Sequence, residues 1–175
     1  MSKLYKVVVT GPFNAGKTTF VKTLADMGGV DTDRATSRRS ETRVKSTTTV
    51  ALDYGKVKLK RGIDIHLFGT PGQARFDFMQ ELLADGMHGF IFLIDSTDRG
   101  NLKQAVNLLA SFKRRGNVPY LLAANKADQK GLSSAEIRAQ LSLPQEEPIT
   151  PCIATNIASA RSVVEQLVTM IERAY

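Results

Sequence analysis

Lys17 and Thr18 close a run, Gly11–Thr18, that reads GPFNAGKT and fits the spacing G-x-x-x-x-G-K-[ST]. The chemistry of that spacing is anion binding. Its glycines let the chain turn tightly, so successive backbone N–H groups converge on one small space. A helix beginning there adds the positive end of its dipole. A polyphosphate is the anion such a cradle suits. The expected contacts are Asn14, Ala15, Gly16, Lys17, Thr18 and Thr19, with Lys17 on the outer phosphates as a catalytic group. The Thr18 hydroxyl is a candidate ligand for Mg2+.

A second group, NKAD at Asn125–Asp128, reads as a base-recognition element. The Asp128 carboxylate can accept two hydrogen bonds from one edge of guanine, the N1–H and the 2-amino group. Adenine has an acceptor at N1 and no 2-amino group, so it would leave the carboxylate unpaired at a cost on the order of several kcal/mol. Asn125 can bridge the base edge and the phosphate loop. Lys126 can lay its methylenes over the ring. Alone, N-K-x-D is a short pattern that a helix-capping Asp would also produce; beside a phosphate loop it predicts one guanine nucleotide held at both ends.

The elements that must position these residues are visible as periodicity. Leu4–Thr10 is an apolar, β-branched run ending at Gly11, as a buried strand would. Gly16–Met27 follows as a helix with Phe20, Leu24 and Met27 inward, closed by Gly28 and Gly29. Val30–Ser46 lacks periodicity and reads as a long functional loop. Thr47–Leu59 and Ile63–Phe68 alternate around Gly62 like a hairpin, with lysines marking an outer strand. Ala74–Asp85 reads as a helix with Phe78, Leu82 and Leu83 on one side. Gly89–Ile94, Pro119–Ala124 and Ile149–Ala154 are further strands. Leu102–Arg114 is an amphipathic helix with Leu102, Ala105, Val106, Leu109 and Phe112 inward; Ser133–Leu141 is a short helix. Ala160–Tyr175 closes the chain as a helix with Val164, Leu167, Val168 and Ile171 inward. Apolar strands alternating with amphipathic helices predict an α/β fold. With the Gly11–Thr18 motif, the expectation is a P-loop NTPase three-layer sandwich, with a mostly parallel six-stranded sheet covered on both faces, as a single domain over residues 1–175. Ligands of such sheets bind at the carboxyl ends of the strands.

Composition sets the remaining bounds. An apolar content of 42% with 23% charged residues is ordinary for a globular chain of 175 residues. The net charge is +7, concentrated between Arg34 and Arg61. The basic loop Val30–Ser46 has no interleaved aromatics, so no nucleic-acid partner is expected. The single cysteine, Cys152, sits among apolar residues and reads as a buried small hydrophobe in a reducing compartment. His66 and His88 have no second ligand at suitable spacing and read as structural. The start MSKLYKVVV has no signal-peptide profile, no apolar run spans a bilayer, and neither end carries a lipidation signal. The expectation is a cytoplasmic protein without a lipid anchor.

Taken with the motifs, the chain resembles a Ras-superfamily small GTPase over nearly its whole length. GKTT, TPGQ and the ATN at Ala154–Asn156 are most similar to the bacterial and archaeal MglA-like branch, with some likeness to the Arf branch. The resemblance implies a molecular switch that binds GTP with Mg2+, hydrolyses it slowly to GDP, and signals through two switch loops to a protein partner. It further implies that Ala154 presents its N–H to the guanine, with Thr155 beside it. Switch I is the Arg-rich loop, in which Thr49 is the candidate for the γ-phosphate and Mg2+, with Thr47 and Thr48 as rivals. Switch II starts at Gly69–Gln73, where Gly72 meets the γ-phosphate and Gln73 orients the attacking water. The MglA-like branch implies a roadblock-type dimer as activator or effector.

Departures from the pattern matter as much. The family's Asp before T-x-G-Q, which supports the Mg2+ shell, is Gly69 here, and Asp53 is a candidate substitute. Phe13 occupies a phosphate-loop position that is often glycine and would obstruct an arginine entering from a partner. Arg43 begins RVKST, which is similar to the RVKTT of heterotrimeric G-protein α-subunits, and is a candidate internal arginine finger alongside Arg38 and Arg39. A solvated basic loop explains the same arginines. The missing Asp also admits a nucleotide-dependent interaction module with negligible hydrolysis.

Overall fold

The computed structural model describes residues 1–25, 53–71 and 77–175. Six strands form one sheet: β1 (Lys3–Thr10), β2 (Asp53–Leu59), β3 (Ile63–Gly69), β4 (Gly89–Asp95), β5 (Tyr120–Asn125) and β6 (Ile149–Pro151). Their order is β2-β3-β1-β4-β5-β6, and only β2 runs antiparallel to its neighbour. The helices are α1 (Lys17–Ala25), α2 (Asp77–Ala84), α3 (Leu102–Arg115), α4 (Ser134–Gln140) and α5 (Ile157–Ala174).

The two-residue period of the central strands builds two separate cores. Val7 and Val9 of β1, Ile91 and Leu93 of β4, and Leu121 and Ala123 of β5 point to one face, where they meet α1 and α5. The intervening residues, Val8, Phe90, Phe92, Ile94, Leu122 and Ala124, point to the other and meet α2, α3 and α4. A strand buried on both faces has no polar side to show, which is why GFIFLI is apolar throughout. Phe90 stacks on Tyr120 with ring centroids 5.0 Å apart and packs against Phe112 at 5.4 Å.

The helix starts follow from capping. Ser133 and Glu136 form a reciprocal capping box that opens α4. The Asn156 side chain accepts the Ser159 N–H, so α5 begins at Ile157, three residues before the expected Ala160. β6 stops at Pro151 and not at Ala154, although Cys152 beyond it still donates its N–H to the Ala124 carbonyl at 2.9 Å. β2 and β3 join through a short 3-10 turn, Lys60–Gly62, and β2 lies at the sheet edge as its lysines predict. The expected strand start at Thr47, and Met27, lie outside the described residues.

Two face assignments need correction. Leu83 is buried, but Phe78 and Leu82, expected beside it, are 62% and 65% exposed. The short α2 turns only a narrow stripe inward, containing Gln80, Leu83 and Ala84. Val106 on α3 is likewise 39% exposed, while Leu102, Ala105, Leu109 and Phe112 are buried. The other expected core positions of α5, Val164, Leu167, Val168 and Ile171, are buried, as is Cys152. Burial pushes the Cys152 thiol up to about 11, so it stays protonated.

This assignment of faces predicts unequal costs for adjacent leucines. Leu83→Ala should destabilise the chain by about 2–5 kcal/mol, and Leu82→Ala by no more than about 0.5 kcal/mol. Urea titration followed by circular dichroism, compared at unchanged slope, measures both.

Candidate functional site

The rim at the carboxyl ends of β1, β4 and β5 gathers the residues singled out from the sequence. β1 ends at Thr10 and the chain turns through Gly11–Gly16 into α1. Within that turn Asn14 has φ 64° and Gly16 φ 100°, left-handed values that curl the backbone around a concavity. A side chain at Gly16 would place its Cβ 2.3 Å from Asn125 Nδ2, so only glycine fits.

Lys17 is 7% exposed, and its ammonium donates to the carbonyls of Gly11 at 2.6 Å and Pro12 at 2.8 Å. Burial pulls the Lys17 pKa down to about 8, against the attraction of Asp53, which raises it. Phe13 is half exposed, and its carbonyl accepts a bond from Asn101 Nδ2 at 2.8 Å. Thr70 pins the start of the TPGQ run, through its N–H to the Val9 carbonyl and its hydroxyl to Thr10.

Asn125 is the joint of the site. It is 3% exposed; its Nδ2 donates to the Ala15 carbonyl at 3.0 Å and its Oδ1 accepts the Ala154 N–H at 2.9 Å. One amide thus ties the phosphate loop, the end of β5 and the loop after β6. The Ala154 amide, expected on the base, is engaged here by Asn125. Lys126 follows with φ 61°, and its ammonium donates to Asp95 Oδ2 at 2.6 Å. Asp128 is exposed on the loop beyond, and Thr155 is exposed beside buried Ala154.

A cavity of about 390 Å³ lies between these parts, lined by residues 13–19, Asp53, Thr70, Pro71 and Lys126. It unites the phosphate loop with the lysine of NKAD. Asp128 is not part of its wall.

Asp53 enters this cavity from an unexpected direction. Because β2 is antiparallel, its first residue lies at the same rim as the last residue of β3, and Asp53 is paired in register with Gly69. Asp53 Oδ2 accepts the Thr18 hydroxyl at 2.6 Å. A Cβ on Gly69 would come within 2.9 Å of the Asp53 Cβ. The strand pair therefore has room for one side chain at that level, and β2 supplies it. A hydroxyl and a carboxylate side by side are hard oxygen donors of the kind Mg2+ takes.

The sequence assigned no role to Asp95, noted only as a special residue at the carboxyl end of its strand, and none to Asn101. Asp95 closes an apolar strand, and the signal for its role is that β4 and β5 end level, with Asp95 opposite Asn125. His88 accepts the Lys6 N–H on Nδ1 at 2.9 Å and packs edge-on against Tyr5. His66 packs edge-on against Tyr54. Arg38, Arg39, Arg43, Thr47, Thr48, Thr49, Gly72 and Gln73 lie outside the described residues. No helix among the described residues is long and apolar enough to cross a membrane.

Comparison with known proteins places this geometry in a family. A family model described as a conserved hypothetical ATP binding protein matches residues 9–175. The uncharacterized protein MJ1339 of Methanocaldococcus jannaschii is 33% identical over 132 residues, covering 75% of this chain and 76% of its own. The mutual gliding-motility protein MglA of Myxococcus xanthus is 25% identical over 183 residues, covering 96% and 92%. Among solved structures, the Arl6 BBS3 small GTPase of Trypanosoma brucei, with the nucleotide analogue GppNp bound, superposes with a TM-score of 0.70. The match spans 98% of this chain and 99% of that one at 21% identity, a likeness of fold. ADP-ribosylation factor-related protein 1 of Bos taurus is 31% identical over 142 residues, covering 79% of this chain and 67% of its own. The chain belongs to the family of that model and is a Ras-superfamily small GTPase, with the MglA-like branch one among several its relatives represent.

The lowered Lys17 pKa carries a sign for ligand binding. A phosphate set against this ammonium would raise its pKa above the value in the free protein, so such binding would take up a proton above about pH 8. Affinity for a nucleoside diphosphate should be full below pH 8 and fall as pH rises through it, by up to about tenfold per unit. Calorimetry between pH 7 and 9 reads this. In Lys17→Arg, whose guanidinium stays charged, the slope should vanish.

Proposed function

We propose that this chain is a guanine-nucleotide switch, a single G domain over residues 1–175 that binds GTP with Mg2+ and hydrolyses it slowly to GDP and phosphate. The observation that carries the reading is the Asn125 amide, which bonds the Ala15 carbonyl and the Ala154 N–H and brings NKAD to the phosphate loop. Supporting it is the shared cavity, whose wall includes both Lys17 and Lys126.

In this reading the amides of Asn14–Thr19 and the Lys17 ammonium hold the phosphates. Lys126 covers the ring, Asp128 accepts the guanine N1–H and 2-amino group, and Ala154 and Thr155 close the base end. The reading is for guanine although the matched family is described by ATP, because a carboxylate at Asp128 has partners only on guanine. Thr18 and Asp53 are the described residues suited to Mg2+, with Thr49 a further ligand. Bound there, the ion would neutralise charge on the outer phosphates. Gly72 contacts the γ-phosphate, Gln73 orients the water and Arg43 supplies positive charge in cis; these roles rest on the family resemblance alone. The output is a change in the segments 34–49 and 69–85, read by a protein partner, for which a roadblock-type dimer is the proposed class.

Calorimetry with Mg2+ should show GTP bound at least about a hundredfold more tightly than ATP, and Asp128→Ala should abolish most of that preference. Equal affinity for the two nucleotides overturns the guanine reading.

The metal part has its own check. Asp53→Ala should raise the Mg2+ concentration needed to retain GTP by about tenfold or more. Moving the carboxylate back across the strand pair, Asp53→Gly with Gly69→Asp, should recover most of the loss. Nucleotide release followed by fluorescence across a Mg2+ titration measures both variants.

A further inference from the structure

Asp95 is the last residue of β4, 5% exposed, and both of its carboxylate oxygens are engaged. Oδ1 accepts the Thr97 N–H at 2.8 Å and the Thr97 hydroxyl at 2.6 Å, which shapes the turn after the strand. Oδ2 faces the next strand and accepts the Lys126 ammonium at 2.6 Å. Burial favours the neutral acid, yet the bonds from Lys126 and Thr97 outweigh it and hold the carboxyl below its ordinary value. The Asp95 carboxyl is therefore ionised at neutral pH and largely shielded from water.

Lys126 lines the same cavity as the phosphate loop. Its ammonium points away to Asp95, so what remains to form the wall is the aliphatic stem. A free lysine stem samples many rotamers, and ordering it at the moment of binding weakens affinity. Here the order exists beforehand, because the head is anchored and the backbone is set at φ 61°. We infer that Asp95 is a positioning residue for nucleotide binding, anchoring the Lys126 head so that its methylenes stand ready as an apolar platform for the face of the nucleobase. The inference rests on the nucleotide reading of the site and adds a second element to base recognition. Asp128 discriminates by the ring edge; the Asp95–Lys126 pair grips the ring face, which is common to all purines.

The experiment compares the full chain with Asp95→Asn, Lys126→Met and the double variant, using GDP and inorganic pyrophosphate as probes with Mg2+ present. Asp95→Asn keeps an oxygen for Thr97 and turns an NH2 toward Lys126. Lys126→Met keeps the stem and removes the head, leaving Asp95 and its turn untouched. Each single variant should bind GDP about tenfold more weakly through faster release. Each should bind pyrophosphate as the unaltered chain does, and the double variant should be no weaker than the worse single one. The GTP-to-ATP preference should persist in all. Unchanged GDP affinity in Lys126→Met overturns the inference even if Asp95→Asn fails to fold. Equal losses for pyrophosphate, or additive losses in the double variant, also overturn it. A chain that binds no GDP at all overturns the nucleotide reading itself, and this inference with it.

Discussion

The Asn125 side chain is the contact on which the rest of the site depends. It is a buried amide, so both its donor and its acceptor need partners, and burying either unmet would cost on the order of 1–3 kcal/mol. The partners are the Ala15 carbonyl and the Ala154 N–H, from segments far apart in the chain. The contact requires the backbone of the phosphate loop to approach very closely, which is possible because Gly16 has no Cβ. Satisfying one amide therefore sets the spacing between the phosphate end and the base end of the site.

Around that joint, two carboxylates each have an opposite or polar partner across an element boundary. Asp95 at the end of β4 holds Lys126 at the end of β5, and Asp53 at the start of β2 meets Thr18 at the start of α1. Each contact links two elements that the sheet brings to one rim. The parallel order of β1, β4 and β5 places their ends together, and the single antiparallel strand delivers its first residue to the same rim. The site is thus a consequence of strand direction as much as of motif.

The exposed apolar residues show where local pattern and tertiary packing part. Phe78, Leu82 and Leu83 are equally apolar in sequence, and a helix of this length can turn only part of its circumference to the sheet. Which residue wins depends on the rotation of α2 against β4 and α3, set by contacts with partners distant in sequence. Phe13, half exposed at the mouth of the cavity, is a further large apolar group outside the core.

The residues of GPFNAGKT and NKAD, the alternation of apolar strands with amphipathic helices, and the edge position of β2 were all legible in the chain alone. Each is carried by local spacing, turn chemistry or a period of two or 3.6 residues. The place of Asp53 was open from sequence, because a carboxylate ahead of a hairpin can face either side until the register pairs it with Gly69. The clamp on Lys126 was hidden for a similar reason: Asp95 and Lys126 are separated by a helix and meet only when β4 and β5 end level. Spacing along the chain determined which groups are present. Strand direction and register, which depend on packing between distant segments, decided which of them touch.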